Sequence, residues 1–171
     1  MARPENIVSV AAMNESELWF RPMTLSDVER VMMVEQEVYE FPWTARIFSD
    51  CIRVGYHCWL ALLGRDLVGH SVISIAAGEC HMLNLSIAKR FQRRGFGRQF
   101  IDFLMDDARN SKAKTILLEV RPSNTAAINC YHAAGFNEIG SRKDYYPAAK
   151  GREDALLYAR HIPPLSTALN H

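Results

Sequence analysis

Apolar residues recur at Leu25, Val28, Val31, Met32 and Val38, with Glu35 the one polar member of the stripe; this spacing predicts an amphipathic helix. Thr24 can cap it, with Asp27 three residues on as the capping-box partner. Phe41-Pro42-Trp43 stops that helix, and Thr44 can cap a second, short one to about Ile52. Ahead of both, Leu18 to Met23 reads as a first strand, with Pro22 hinting at a sheet edge. From His57 the period shortens. His57 to Leu63 and Leu67 to Ala77 read as strands joined by a Gly64-Arg65-Asp66 turn, and Gly78 turns the chain into a third, Cys80 to Ile87. A basic glycine loop, Lys89 to Gly97, precedes a helix from about Gly97 to Asn110. Thr115 to Val120 is β-branched and leucine-rich, as the centre of a buried sheet requires. Ser123-Asn124 opens a helix to Ala134, which Gly135 closes. Phe136 to Ser141 and Asp154 to Arg160 are the last strands, separated by a polar loop carrying Tyr145-Tyr146-Pro147. An antiparallel meander followed by a parallel element near Thr115 implies an α/β or mixed α+β fold.

Composition narrows the function classes. The 171 residues fit one domain, and 49% hydrophobic with 23% charged residues excludes bulk disorder. Lys plus Arg number 20 and Asp plus Glu 19, a net charge of +1. Such a chain has no general field for a duplex backbone, so direct nucleic-acid binding is not expected and any anion must be gripped locally. No apolar run approaches the about 20 residues of a spanning helix, so no membrane partner is expected. Ile7 to Met13 faintly mimics a signal peptide, but it contains Ser9 and runs into Asn14-Glu15-Ser16-Glu17 without an A-x-A site. Residues 1–16 are therefore expected to be a loose arm, 17–162 the domain and 163–171 a tail. Cys51, Cys58, Cys80 and Cys130 lack C-x-x-C pairing, which suits reduced thiols in a cytoplasmic protein. His57, His70, His81 and His132 lack H-x-x-x-H or H-E-x-x-H spacing, so no metal is expected.

The most informative stretch is Gln92-Arg93-Arg94-Gly95-Phe96-Gly97-Arg98, between a strand and a helix. Successive backbone N–H groups in such a loop can converge on phosphate oxygens, helped by the helix N-terminus. Glycine permits close approach or an unusual φ, and three arginines concentrate positive charge in a chain whose net charge is only +1. The pattern is neither G-x-x-x-x-G-K-[ST] nor G-x-G-x-x-G. A plain helix cap with a solvated basic face would also fit it.

Gln92-x-x-Gly95-x-Gly97 resembles the [QR]-x-x-G-x-[GA] signature of the GCN5-related N-acetyltransferases. Leu118-Glu119-Val120-Arg121-Pro122-Ser123-Asn124, Ala126-Ala127-Ile128, Tyr131, Gly135-Phe136, Tyr145-Tyr146-Pro147 and Glu153-Asp154-Ala155 extend the likeness. Together with Phe41-Pro42-Trp43 they resemble the bacterial ribosomal-protein alanine N-acetyltransferases within that family, over about Leu18 to Ile162. The resemblance implies a central, mostly antiparallel mixed sheet of six to seven strands with about four helices. It implies acetyl-CoA as cosubstrate, a protein N-terminus as acceptor, and a monomer or weak oligomer.

It also implies roles for individual residues. An α-ammonium group must lose a proton before it attacks a thioester, and its unperturbed pKa of about 7.7–8.0 asks only a modest base. Glu119 takes that part, directly or through a water; by itself it reads as a salt-bridging Glu, for instance with Arg121. Tyr131 takes the general-acid position; by itself it reads as a core tyrosine beside Ile128 and Phe136. Leu85, Ser86 and Ile87 offer backbone groups to the pantetheine arm, with an N–H near the thioester oxygen. Ser86 stands where a small apolar residue is usual in that subfamily. Gln92, Arg93, Arg94, Gly95, Phe96, Gly97 and Arg98 surround the diphosphate, and Asn124 serves the coenzyme, a helix N-cap, or both. Phe41, Trp43, Tyr145 and Tyr146 either flank the acceptor groove or simply pack.

Overall fold

Thr24 opens the first helical region as its spacing from Asp27 predicts: its N–H donates to Asp27 Oδ2 at 2.8 Å. The computed structural model describes residues 16–166, so the expected N-terminal arm, apart from Ser16, and the end of the expected tail lie outside the described residues. A 3-10 turn, Leu25–Asp27, leads into helix α1, Val28–Val38. Arg21 forks onto Asp27 at 2.8 and 2.7 Å, and this bond holds the Asp27 carboxyl down to about 2. Its share of stability is present above pH about 4 and is lost as the pH falls through about 2. Helix α2, Ala45–Arg53, is capped by Thr44 Oγ1, which accepts from the Ile47 N–H at 3.3 Å.

Among the described residues, seven strands follow the order β1-β2-β3-β4-β5-β7-β6. They are β1 Leu18–Pro22, β2 His57–Leu63, β3 Asp66–Ala76, β4 Glu79–Ile87, β5 Thr115–Val120, β6 Asn137–Pro147 and β7 Arg152–His161. Every pair is antiparallel except β4–β5, the parallel element expected near Thr115. The connection between those two strands is helix α3, Phe96–Asn110; helix α4, Thr125–Ala133, joins β5 to β6. The mixed α/β architecture is thus as expected, and β1, which ends in Pro22, lies at a sheet edge. None of the described helices is long and apolar enough to cross a membrane.

One expectation is corrected. Tyr145-Tyr146-Pro147 is not in a loop but ends β6, with Tyr146 opposite Glu153 and Pro147 opposite Arg152. β6 is an exposed edge strand interrupted by a register shift between Arg142 and Tyr146, with Asp144 at φ +51°. The Asp144 N–H donates to Asp154 Oδ1 at 2.9 Å across that irregularity. A mostly exposed strand with a bulge shows no period-2 hydrophobic pattern, so it reads as polar loop.

Two features position the site. Phe100, Ile101 and Leu104 of α3 are fully buried, as are Leu60, Ile73 and Ile116 of the sheet. On this rigid support β4 and β5 pair only from Glu79 opposite Thr115 to Met82 opposite Leu118. Immediately beyond, β4 carries an extra residue: Ile73 opposes Met82 but Val72 opposes Asn84, leaving Leu83 over. A bulge sharpens local twist, and residues 83–87 part from β5. The extra residue also places His81, opposite Ser74, on the same side as Asn84, opposite Val72.

Candidate active site

In an antiparallel ladder the N–H and C=O of one residue point to the same side of the strand. The Leu85 carbonyl accepts the Tyr39 hydroxyl at 2.8 Å, and the Ile87 carbonyl accepts Gln92 Nε2 at 2.9 Å. Their N–H groups therefore also face away from β3, into the gap left by β5. Ser86 differs: its side chain is 2% exposed and turns into a buried polar cluster. Gln92 anchors the strand end to the loop. Tyr39 had no marker of its own in the sequence beyond its place at the end of α1.

Gly95 is the N-cap of α3 at φ +81°, a conformation that favours glycine, and Arg93 precedes it at φ +61°. This puts turning backbone and a helix N-terminus at the mouth of the gap. Arg94 lies 5.4 Å over Phe91 and 5.1 Å over Phe96, so its charge is tethered beside the loop. Arg98 is committed within the protein: it pairs with Asp102 at 3.3 Å and donates to the Ala133 carbonyl, tying α3 to α4. Asn124 Oδ1 accepts the Ala127 N–H at 3.2 Å, the helix-cap role.

A Cβ on Gly97 would lie 3.6 Å from Cys130 Sγ and 3.7 Å from Ile87 Cγ1, ordinary contact. The fold alone thus admits alanine at this position. Acetyl-CoA is expected to raise the melting temperature of the parent and of Gly97→Ala by mass action. Gly97→Val, with two further methyls beside the loop, is expected to lose most of that shift. A full acetyl-CoA shift in the valine variant, read by thermal denaturation, would remove the loop from the coenzyme site.

Glu119 sits near the end of β5, with its side chain 10% exposed. Arg121 is not its partner. Glu119 Oε2 is 2.6 Å from His81 Nε2, and Oε1 is 3.7 Å from Arg142 Nε. The His81 hydrogen bond holds the Glu119 carboxyl below its ordinary range, against the opposing effect of burial, and the charges of His81 and Arg142 add to it. Glu119 is consequently ionised at neutral pH. His81 has no metal-ligand spacing or other marker in the sequence; its link to Glu119 arises from β4–β5 adjacency.

Tyr131 of α4 is 8% exposed, with its ring 5.6 Å from Phe136. Burial pushes its phenol well above the usual tyrosine range, so it is a neutral hydroxyl. Tyr146 lies within electrostatic reach of Glu119 and Tyr131, and burial, reinforced by the Glu119 charge, pushes its phenol up too. Burial also pushes Tyr39 up to about 12. Three neutral hydroxyls and one carboxylate thus gather beside the open end of the strand gap.

The remaining aromatics divide. The Arg121 guanidinium lies 4.4 Å over Tyr146 and 5.4 Å over Phe41, and donates to the Pro147 carbonyl at 2.7 Å and to Glu153 at 3.3 Å. Tyr145 meets Tyr146 edge-on at 4.8 Å. Phe41, Tyr145 and Tyr146 therefore form one rim. Trp43 turns inward, with its ring 5.2 Å from Phe48.

A glycine loop turning into a helix N-terminus, a parted strand pair and an ionised carboxylate near neutral hydroxyls thus lie along β4 and β5. The sequence model of the acetyltransferase (GNAT) family matches residues 18–136, and the chain belongs to that family. It is 32% identical over 140 residues to the [ribosomal protein bS18]-alanine N-acetyltransferase of Salmonella typhimurium, covering 82% of this chain and 95% of that one. The Escherichia coli K12 protein of the same name is 31% identical over 137 residues, covering 80% and 93%. The crystal structure of the ribosomal-protein-S18-alanine N-acetyltransferase from Escherichia coli superposes with a TM-score of 0.80 at 28% identity, covering 91% of this chain and 100% of that one.

Proposed function

We propose that the chain moves the acetyl group of acetyl-CoA onto the N-terminal α-amino group of a protein, the alanine terminus of a bS18-type ribosomal protein, in the cytoplasm. The observation that carries this reading is Glu119, held ionised by His81 at the open end of the β4–β5 gap. The names of the relatives support the acceptor. Phe41, Tyr145 and Tyr146 supply an aromatic rim suited to an extended peptide.

Acetyl-CoA fits the residues present: its phosphates would meet the Arg93 to Gly97 backbone, and its pantetheine arm the N–H groups of Leu85 and Ile87. Bound there, it supplies an activated thioester carbonyl. The Leu85 N–H then stands as a donor for developing negative charge on oxygen. Glu119 accepts the proton of the acceptor ammonium, and His81, 36% exposed, holds that carboxylate from the solvent side. The Tyr131 hydroxyl, neutral and buried, donates to the departing sulfur. Arg121 holds Tyr146 and Phe41 in place around the peptide.

Mass spectrometry of an alanine-starting bS18 peptide incubated with the chain and acetyl-CoA tests the reading. A gain of one acetyl group on the α-amine is expected. Acetylation confined to lysine or to a small amine would leave the family intact and reject the acceptor. Coenzyme binding without any turnover would mark a binding module instead.

His81→Leu is expected to lower kcat about tenfold to a hundredfold, because the carboxylate loses its orienting partner. The Glu119 titration, followed by NMR, is expected to move up, since the His81 bond is the largest cause of its depression. Parent kcat in this variant would remove His81 from the mechanism.

A further inference from the structure

Glu35 breaks the apolar stripe of α1 yet is 1% exposed, and no Lys or Arg pairs with it among the described residues. Four other groups surround its carboxyl instead. Oε1 accepts the Trp43 N–H at 3.0 Å, and Oε2 lies 2.9 Å from His70 Nε2. Asn84 Nδ2 lies 3.3 Å from both oxygens, and Ser86 Oγ donates to Oε2 at 3.3 Å. Ser86 Oγ is also 3.3 Å from Asn84 Oδ1.

His70 is fully buried, and its Nδ1 has no hydrogen-bond partner among the described residues. His70 Nε2 and Glu35 Oε2 share one hydrogen bond, which ties the imidazole to the carboxyl. The Phe48 ring meets the His70 ring edge-on at 5.3 Å. A core selected for stability alone has a less costly solution: well-packed apolar residues often match or exceed a buried polar network. The cluster therefore asks for a positional explanation.

Its donors come from two parts of the site. The Trp43 N–H belongs to the segment that carries Phe41 to the acceptor rim. Asn84 and Ser86 flank Leu85, whose N–H faces the strand gap and whose carbonyl is held by Tyr39, four residues beyond Glu35. His70 lies opposite Ser86 in the β3–β4 ladder. One carboxylate thus fixes the peptide-side loop and the coenzyme-side strand to each other.

We infer that Glu35 is a positioning residue that registers the acceptor loop against residues 84–86 of β4, with His70 holding its Oε2 in place. This rests on the acetyl-transfer reading above. A separation error between acceptor nitrogen and reacting carbonyl of about 1 Å costs about 10²-fold in rate. Loss of the carboxylate should consequently appear in the peptide parameters more than in coenzyme affinity, because the loop from Arg93 to Gly97 is built from other residues.

The test is steady-state kinetics on the full chain with an alanine-starting peptide and acetyl-CoA, with activity expressed per folded molecule from a denaturation curve. For Glu35→Gln the peptide KM is expected to rise and kcat to fall, together about 10–10²-fold in kcat/KM, with acetyl-CoA affinity near parent. His70→Gln, which retains an N–H donor toward Glu35, should keep more peptide kcat/KM than His70→Leu, which has none. Parent-like peptide KM and kcat in Glu35→Gln overturn the inference. If Glu35→Gln does not fold, the His70 pair decides: equal peptide parameters in the two variants overturn it. A parent chain that does not acetylate the peptide rejects the acetyl-transfer reading before any variant is compared, and this inference with it.

Discussion

Glu119→Gln is expected to lower kcat about 10²–10⁴-fold at neutral pH, the range typical of losing a general base. The amide keeps the shape and an oxygen for His81 but cannot accept a proton. Coenzyme affinity should change little, because the residue lies on β5, across the gap from Leu85 and Ile87. The His81 bond depresses the Glu119 titration, so the carboxylate is already ionised throughout the neutral range. The acid limb of the parent kcat/KM profile should therefore follow the acceptor ammonium near its pKa of about 7.7–8.0 and not a carboxylate. Raising the pH supplies free amine and should recover part of the variant's rate. Linkage has the same sign for folding: the depressed Glu119 stabilises the fold above about pH 4 and loses that contribution as the pH falls through its folded value. Parent turnover by the variant at neutral pH, measured with saturating acetyl-CoA, would sink the base assignment.

Tyr131→Phe separates chemistry from packing with one atom. The ring stays against Phe136, so a purely structural tyrosine should tolerate the change. Because burial pushes the phenol up, the parent side chain remains a neutral donor at all working pH values. If that hydroxyl protonates the departing thiolate, kcat should drop about 10²–10⁴-fold while cooperative folding persists. Coenzyme analogues with a more acidic thiol need less protonation, so the gap between variant and parent should narrow with them. A variant with parent turnover on the native thioester, where chemistry limits the rate, would return Tyr131 to the core and leave the thiolate to take its proton from water.

Much of this molecule is legible from local pattern. The first helical region begins where Thr24 and Asp27 say it should, with the 3-10 turn that leads into α1, because a capping box needs only residues three apart. Strand β5 is β-branched and leucine-rich because it lies between β4 and β7, and its limits, Thr115–Val120, are those that its composition implies. Only the first half of β6 is legible, as Phe136 to Ser141; beyond it the face is wet and the register is broken near Asp144, which removes the alternation that marks a strand. The glycine loop announces itself by residue type, since φ +81° at Gly95 is a demand on a single residue.

The partners of the reactive groups belong to the other kind of information. Sequence proximity pairs Glu119 with Arg121, two residues on; the sheet instead gives Glu119 to His81, 38 residues away, because β4 and β5 are parallel neighbours. Arg121 is drawn to Glu153 across the antiparallel side. Trp43 and Phe41 look alike in sequence, yet one packs on Phe48 and the other stays at the rim. Glu35 reads as a flaw in a helix face until His70, Asn84 and Ser86 close around it from two different strands. By itself the sequence determined most of the elements and the turn at the glycine loop, which depend on backbone conformation over a few positions. Tertiary structure alone decided which carboxylate meets which imidazole, since a hydrogen bond near 3 Å is set by strand order, register and one bulge, quantities that sum over the whole sheet.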